Sequence, residues 1–245
     1  MEMEIDQATK HGVNVFIFDW YWYDGRPFME TTLNNGFLKA KNVEKMQFYL
    51  MWANHDVLNL WDTRLARFNE DNVIWQGKVD REEFEKICRR NIEMYFKHPQ
   101  YYKIDGKPVF MVYDLPNLIN GLGGIEQTVD ALQWFRREVR KAGFPDVELQ
   151  FAMWSVNLNY SGLDASKSDN PQDDFIRKLG FDSSTISPSK TLTGVSSASE
   201  SKINISASGT DKPCSHLDMV WRTTFILTDS SSWDKPFDFL IVLMF

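Results

Sequence analysis

Three times in this chain a helix-like run ends in lysine, a glycine follows two residues later, and an apolar run begins at once. The three junctions are Lys10-His11-Gly12-Val13, Lys141-Ala142-Gly143-Phe144 and Lys178-Leu179-Gly180-Phe181. A cation in the last helical turn complements the helix dipole, and glycine supplies the left-handed residue that stops the helix. Recurrence of this handover predicts a repeating helix–strand unit and hence a mainly parallel sheet. Helices are predicted at 2–11, Glu30–Lys39, from Asp80 (with Glu83 placed for a capping box), at Ile125–Ala142 and at Pro171–Leu179. Strands are predicted at Val13–Phe18, Met46–Trp52, Lys107–Asp114 and Val147–Trp154, with a fifth starting at Phe181.

The first of these strands carries the strongest functional signal. Val13 to Phe18 is almost wholly apolar and suits a strand covered on both faces. It then changes character abruptly to Asp19-Trp20-Tyr21-Trp22-Tyr23-Asp24-Gly25. Four successive aromatics between two carboxylates can form a plug over the end of a core. They also make a sugar-binding surface, because pyranose rings stack on Trp and Tyr while carboxylates accept hydrogen bonds from their hydroxyls. The other strands end in kind: Trp52-Ala53-Asn54-His55-Asp56, Tyr113-Asp114 and Trp154-Ser155. Ligand sites of parallel α/β proteins lie at the carboxyl ends of the strands, whether the sheet is a closed barrel or open.

Composition narrows the partners. A net charge of −7 and the lack of a basic cluster argue against nucleic acid or an anionic membrane surface. Cys88 and Cys214 make no disulfide framework, and Cys88 falls on the apolar side of a predicted helix. His11, His55, His98 and His216 have no metal-ligand spacing, so neither metal nor cofactor is expected. The glycines at 121, 123 and 124 read as a loop that lacks the ending of a phosphate loop. Arg136, Arg137, Arg140 and Lys141 read as a solvated basic edge. No apolar run reaches membrane-spanning length, and MEMEIDQATK is not a signal peptide, which leaves the compartment open.

Composition also divides the chain. About twenty of the positions 183–232 are Ser or Thr, against about nine in the preceding 182. The expected organisation is a domain over 1–182 and a Ser/Thr-rich segment over 183–245. That segment reads as a flexible tail, a divergent strand-rich subdomain, or sequence foreign to the fold. The abrupt end of the helix–strand series inside a strand favours the last.

Taken in order, HGVNVFIFDWYWYDGRPFME, FYLMWANHDVLNLWD and YYKIDGKPVFMVYD resemble the WbsX-type family related to the family 99 glycoside hydrolases. The resemblance covers residues 4–182. It implies a (β/α)8 TIM-type barrel, here incomplete with about five strand units, acting on a polysaccharide or glycan. The hydrolase relatives cleave α-mannosides internally with participation of the sugar 2-hydroxyl. WbsX-type members also occur in surface-polysaccharide gene clusters, labelled glycosyltransferases. Carried over by position, the implied substrate-binding residues are Asp19, Trp20, Tyr21, Asp24, Trp52, Asn54 and Tyr113, to which the strand-end pattern adds Trp154.

The departures from the family carry equal weight. The strand that precedes the family's first helix is missing here, so the chain reads as truncated at both ends. The family's catalytic carboxylates lie in an Asn-Glu-Trp-x-Glu-Gly segment, and this chain has no Glu-Trp dipeptide. No residue therefore inherits a catalytic role, and the chain is expected to hold a glycan without cleaving it. A glycosyltransferase of surface-polysaccharide biosynthesis, for which no Asp-x-Asp motif is present, and a carbohydrate-binding remnant are the alternatives.

Overall fold

A computed structural model describes residues 1–58, 73–152, 171–185 and 240–244, with the backbone alone at 171–173, 185 and 240–244. Helix α1 (Glu2–Lys10) leads into β1 (Val13–Tyr23), which turns through Asp24-Gly25 into β2 (Arg26–Phe28). Both turn residues have positive φ, 54° and 71°, as a two-residue type I′ hairpin needs. The helix expected over Glu30–Lys39 is instead a π turn at Thr32–Gly36 and a 3-10 turn at Phe37–Lys39, burying Leu33 and Phe37.

Next come β3 (Gln47–Trp52), the antiparallel pair β4 (Val57–Leu58) and β5 (Val73–Trp75), and α2 (Arg81–Asn91). Asp80 caps α2 by accepting from the Glu83 N–H. The Glu83 carboxylate does not close the expected capping box; it accepts from Trp22 Nε1 (2.8 Å) and Lys86 (2.8 Å). Strands β6 (Lys103–Ile104) and β7 (Lys107–Val112) follow, then α3 (Leu115–Leu122) and α4 (Ile125–Lys141). Helix α3 occupies the segment read as running into a glycine loop: Asp114 caps it, Pro116 sits in its first turn, and Gly123 ends it at φ 94°. After β8 (Glu148–Ala152) come α5 (Pro171–Leu179), β9 (Ser183–Thr185) and β10 (Leu240–Met244). The junction glycines at 12, 143 and 180 all take positive φ, as three helix stops require.

The main sheet runs β10-β1-β3-β7-β8-β9, every neighbour pair parallel, with β2 and β6 attached antiparallel. Strand order follows chain order except that the last strand lies beside the first. This is a mixed α/β fold with a largely parallel central sheet. The expected fold is an incomplete TIM-type barrel; among the described residues the path ends at β9 and β10, which do not pair with each other, so no barrel is closed and the barrel type is not confirmed. Closure needs a continuous ring of strands, which the described strands do not supply.

The sheet's two faces are used differently. On β1, alternation sends Phe16, Phe18, Trp20 and Trp22 to one side and Val15, Ile17, Asp19, Tyr21 and Tyr23 to the other. The first set packs under the helices and turns: Phe16 and Phe18 meet Phe37, Trp52 of β3 meets Phe84, and Phe110 of β7 meets Phe135. Phe84, Ile87, Cys88 and Tyr95 form the buried stripe of α2 and the turn that follows.

Arg136 is no part of a solvated edge. It donates to the carbonyls of Val147 (2.9 Å) and Gly180 (2.7 Å) and to the Asp182 carboxylate (2.6 Å). It thereby ties α4 to the starts of β8 and β9.

Candidate functional site

The opposite face of the sheet carries the candidate site. Register aligns Asp19 with Met51, Met51 with Met111 and Met111 with Gln150, so these residues form one level across four strands. Two residues toward the carboxyl ends, on the same face, stand Tyr21, Ala53, Tyr113 and Ala152. His55 lies three residues beyond the end of β3, and its ring lies between Tyr21 (6.1 Å between centroids) and Tyr113 (5.4 Å). Tyr23 stacks on Tyr21 at 6.1 Å and 29°. Tyr21, Tyr23, His55 and Tyr113 thus form a row of rings above Asp19.

Asp19 is the chemically unusual member. Tyr21 Oη donates to Asp19 Oδ2 over a long 3.4 Å, while the buried Oδ1 has no partner among the described residues. Among the described residues no cation offsets the lost solvation, so burial lifts its carboxyl pKa to about 7, with the Tyr21 hydrogen bond opposing. Near neutral pH this group exchanges between an acceptor-only carboxylate and an acid that donates. Burial, and then the nearby carboxylates and phenols, push the Tyr21 and Tyr23 hydroxyls upward, keeping them neutral donors. Burial lowers His55 despite Asp114 and Asp56 nearby, so its imidazole favours the neutral form. Tyr49 Oη and Gln150 Oε1 lie on the same face, buried and without a partner among the described residues.

The loops around this face are fixed by side-chain clasps. Asn54 is buried, donating from Nδ2 to the Asp114 carbonyl and accepting at Oδ1 from the Asp114 N–H, each at 2.7 Å. Asp56 Oδ1 accepts from the Gly77 N–H (2.7 Å) and from Asn117 Nδ2 (3.3 Å). Tyr23 Oη donates to the His55 carbonyl at 2.9 Å.

The sequence-predicted residues therefore separate into groups. Asp19, Tyr21 and Tyr113 come together. Trp20 and Trp52 are fully buried on the helix side: Trp20 Nε1 donates to Glu30 Oε1 (2.7 Å), which also accepts from Tyr95 Oη (2.9 Å). Asn54 lies beneath the site as a clasp between β3 and α3. Asp24 occupies the exposed hairpin turn. Trp154 lies outside the described residues. Tyr23 and His55 join the site although neither is among the residues expected there. Strict alternation along β1, counted from Asp19, places Tyr23 on the site face and both tryptophans off it.

Among the described residues no set of three or more His, Cys, Asp or Glu side chains is placed to share a metal ion. No helix there is long and apolar enough to cross a membrane.

The chain is a protein of the mixed α/β class, with a largely parallel central sheet whose strand ends carry tyrosines, a histidine and a desolvated carboxyl. Within that class the chain belongs to the WbsX glycosyltransferase family, whose family model matches residues 1–229. It is 25% identical over 144 residues to the "uncharacterized protein WxcX" of Xanthomonas campestris pv. campestris strain B100. The WxcX protein of strain ATCC 33913 matches to the same extent. These matches take in 59% of this chain and 19% of each relative, so the chain spans a minor part of their length. No solved structure matches.

Proposed function

We propose that this chain binds a polysaccharide or glycan at the strand-end face formed by Asp19, Tyr21, Tyr23, His55 and Tyr113. The observation that carries the reading is the joining of ring faces to a desolvated carboxyl at one sheet edge. Sugars present apolar C–H faces to rings and hydroxyls to polar groups, and such a site offers both. Membership of a family described as glycosyltransferases supports a carbohydrate ligand.

Two observations bear on the reaction. Hydrolysis of a glycosidic bond generally takes two carboxyl groups. At this face Asp114 is committed to capping α3 and Asp56 to Gly77 and Asn117, which leaves Asp19 alone among the described residues. We therefore read the chain as binding glycan without hydrolysing it, as part of a protein whose wider activity is hydrolysis of the family 99 kind or glycosyl transfer. The family description favours transfer. Calorimetric binding of a nucleotide-sugar with Mn²⁺ supports transfer, and release of reducing ends from mannan supports hydrolysis.

The binding reading is tested by presenting the purified chain to an array of bacterial surface polysaccharides and their fragments. Binding to at least one glycan is expected, weakened about tenfold by Tyr21→Ala or Tyr113→Ala. Arg89→Ala, on the helix face, should leave it unchanged. An array with no bound glycan contradicts the reading.

A further inference from the structure

Large apolar side chains exposed among the described residues are gathered in one place. All except Met3 and Met94 lie on β5 (Val73, Ile74, Trp75) or at the end of β2 (Phe28, Met29). These two strands flank the row of site rings. Trp75 stacks on Tyr23 at 5.9 Å and 22°, and its ring meets that of Phe28 edge-on at 5.3 Å. The rings are thus continuous from Trp75 through Tyr23 and Tyr21 to His55 and Tyr113. One face of Trp75 is covered by Tyr23; the residue as a whole stays 36% exposed, and Phe28 38%.

This surface is held in register with the inner site. Two residues beyond Trp75, the Gly77 backbone lies so close to Asn54 that an added Cβ would sit 2.2 Å from the Asn54 carbonyl oxygen. The Gly77 N–H is bonded to Asp56. A large exposed apolar surface on a folded protein generally marks a contact site, and rigid aromatics lose little entropy on binding.

We propose that Trp75 and Phe28 form an outer saccharide subsite, which receives the sugar residues next along a glycan chain whose inner residue rests at Asp19, Tyr21, His55 and Tyr113. The proposal rests on the glycan-binding reading above. The occupant follows from continuity: the exposed rings extend the series that reaches Asp19, so one chain laid along them contacts both ends. The ligand is then an oligosaccharide chain, with affinity that grows with length.

The polysaccharide bound best on the array, cut by mild acid and size-fractionated into a ladder from single sugars to long chains, supplies the probes. Affinity is measured by calorimetry for the parent chain, Trp75→Ala, Trp75→Phe and Phe28→Ser, with circular dichroism confirming the fold. The parent is expected to bind longer fragments more tightly. Trp75→Ala should lose that gain, about tenfold on the longest fragments, while binding short ones as the parent does. Trp75→Phe should retain most of the gain. Equal losses at every length would overturn the proposal, showing that Trp75 acts only by bracing Tyr23. A length dependence untouched by either variant would also overturn it, as would loss of self-association in the variants with glycan binding unaltered. A parent that binds no fragment at all removes the underlying reading, and the proposal with it.

Discussion

Asp19 is where the physical chemistry departs furthest from the ordinary. A carboxyl raised to about 7 by burial takes up a proton on folding, because in the unfolded chain it titrates near its usual 3.8. The folded state binds more protons than the unfolded state between these values. Asp19's contribution to stability is therefore full below about pH 4 and is lost as pH rises through about 7. Asp19→Asn should flatten that part of the profile. Compared with the parent, it should gain stability as pH rises from 5 to 8, by up to roughly 3 kcal/mol, nearly all of it below pH 7. Denaturant melts across that range would show it, and a variant profile parallel to the parent's would contradict the assignment. Gly77 gives a second expectation. Gly77→Ala forces a methyl group against the Asn54 backbone and should cost about 1–3 kcal/mol, displacing β5 as it does so. Chemical denaturation would report the cost and Trp fluorescence the displacement.

The strand ends are held by side-chain clasps. Asn54 joins the end of β3 to the start of α3 with two backbone hydrogen bonds, inside the fold, where loss of a partner is expensive. Asn54→Ala should destabilise by roughly 2–4 kcal/mol, and Asn54→Asp, which can accept but not donate, by a comparable amount. Urea unfolding of both variants checks this; near-neutral effects would show that the clasp is dispensable.

Much of this layout was legible in the sequence. The lysine–glycine handovers mark the helix–strand alternation, and the apolar runs mark β3, β7 and β8 nearly to their ends but only the first half of β1, which continues through the aromatic stretch to Tyr23. Helix α3 was hidden because its glycines lie at its terminus and were read as a loop, although Asp114 and Pro116 carried the start signal. The division of the aromatic loop was hidden for another reason. Four successive aromatics look like one patch, but a strand sends neighbours to opposite faces, so Trp20 and Trp22 became core while Tyr21 and Tyr23 face the site. His55 was obscured because its position depends on how Asn54 and Asp56 anchor their segment, which no local pattern records.

The described residues form a largely parallel central sheet, one face covered by helices and the other carrying the ring-lined strand ends. Its family membership spans residues 1–229, past the compositional break at 183. Strand β10 lies parallel to β1 with Leu243 opposite Ile17, so a strand from beyond that break flanks the one that carries Asp19. A glycan seated on the ring-lined face would perturb the rings there and leave those of the helix side alone. Nuclear magnetic resonance of the aromatic and imidazole signals, during titration with the best-bound polysaccharide fragment, addresses this directly. Shifts are expected in Tyr21, His55 and Tyr113, with Phe48, Phe110 and Phe135 on the helix side unmoved. Absence of any shift, or shifts confined to the helix-side rings, would contradict it.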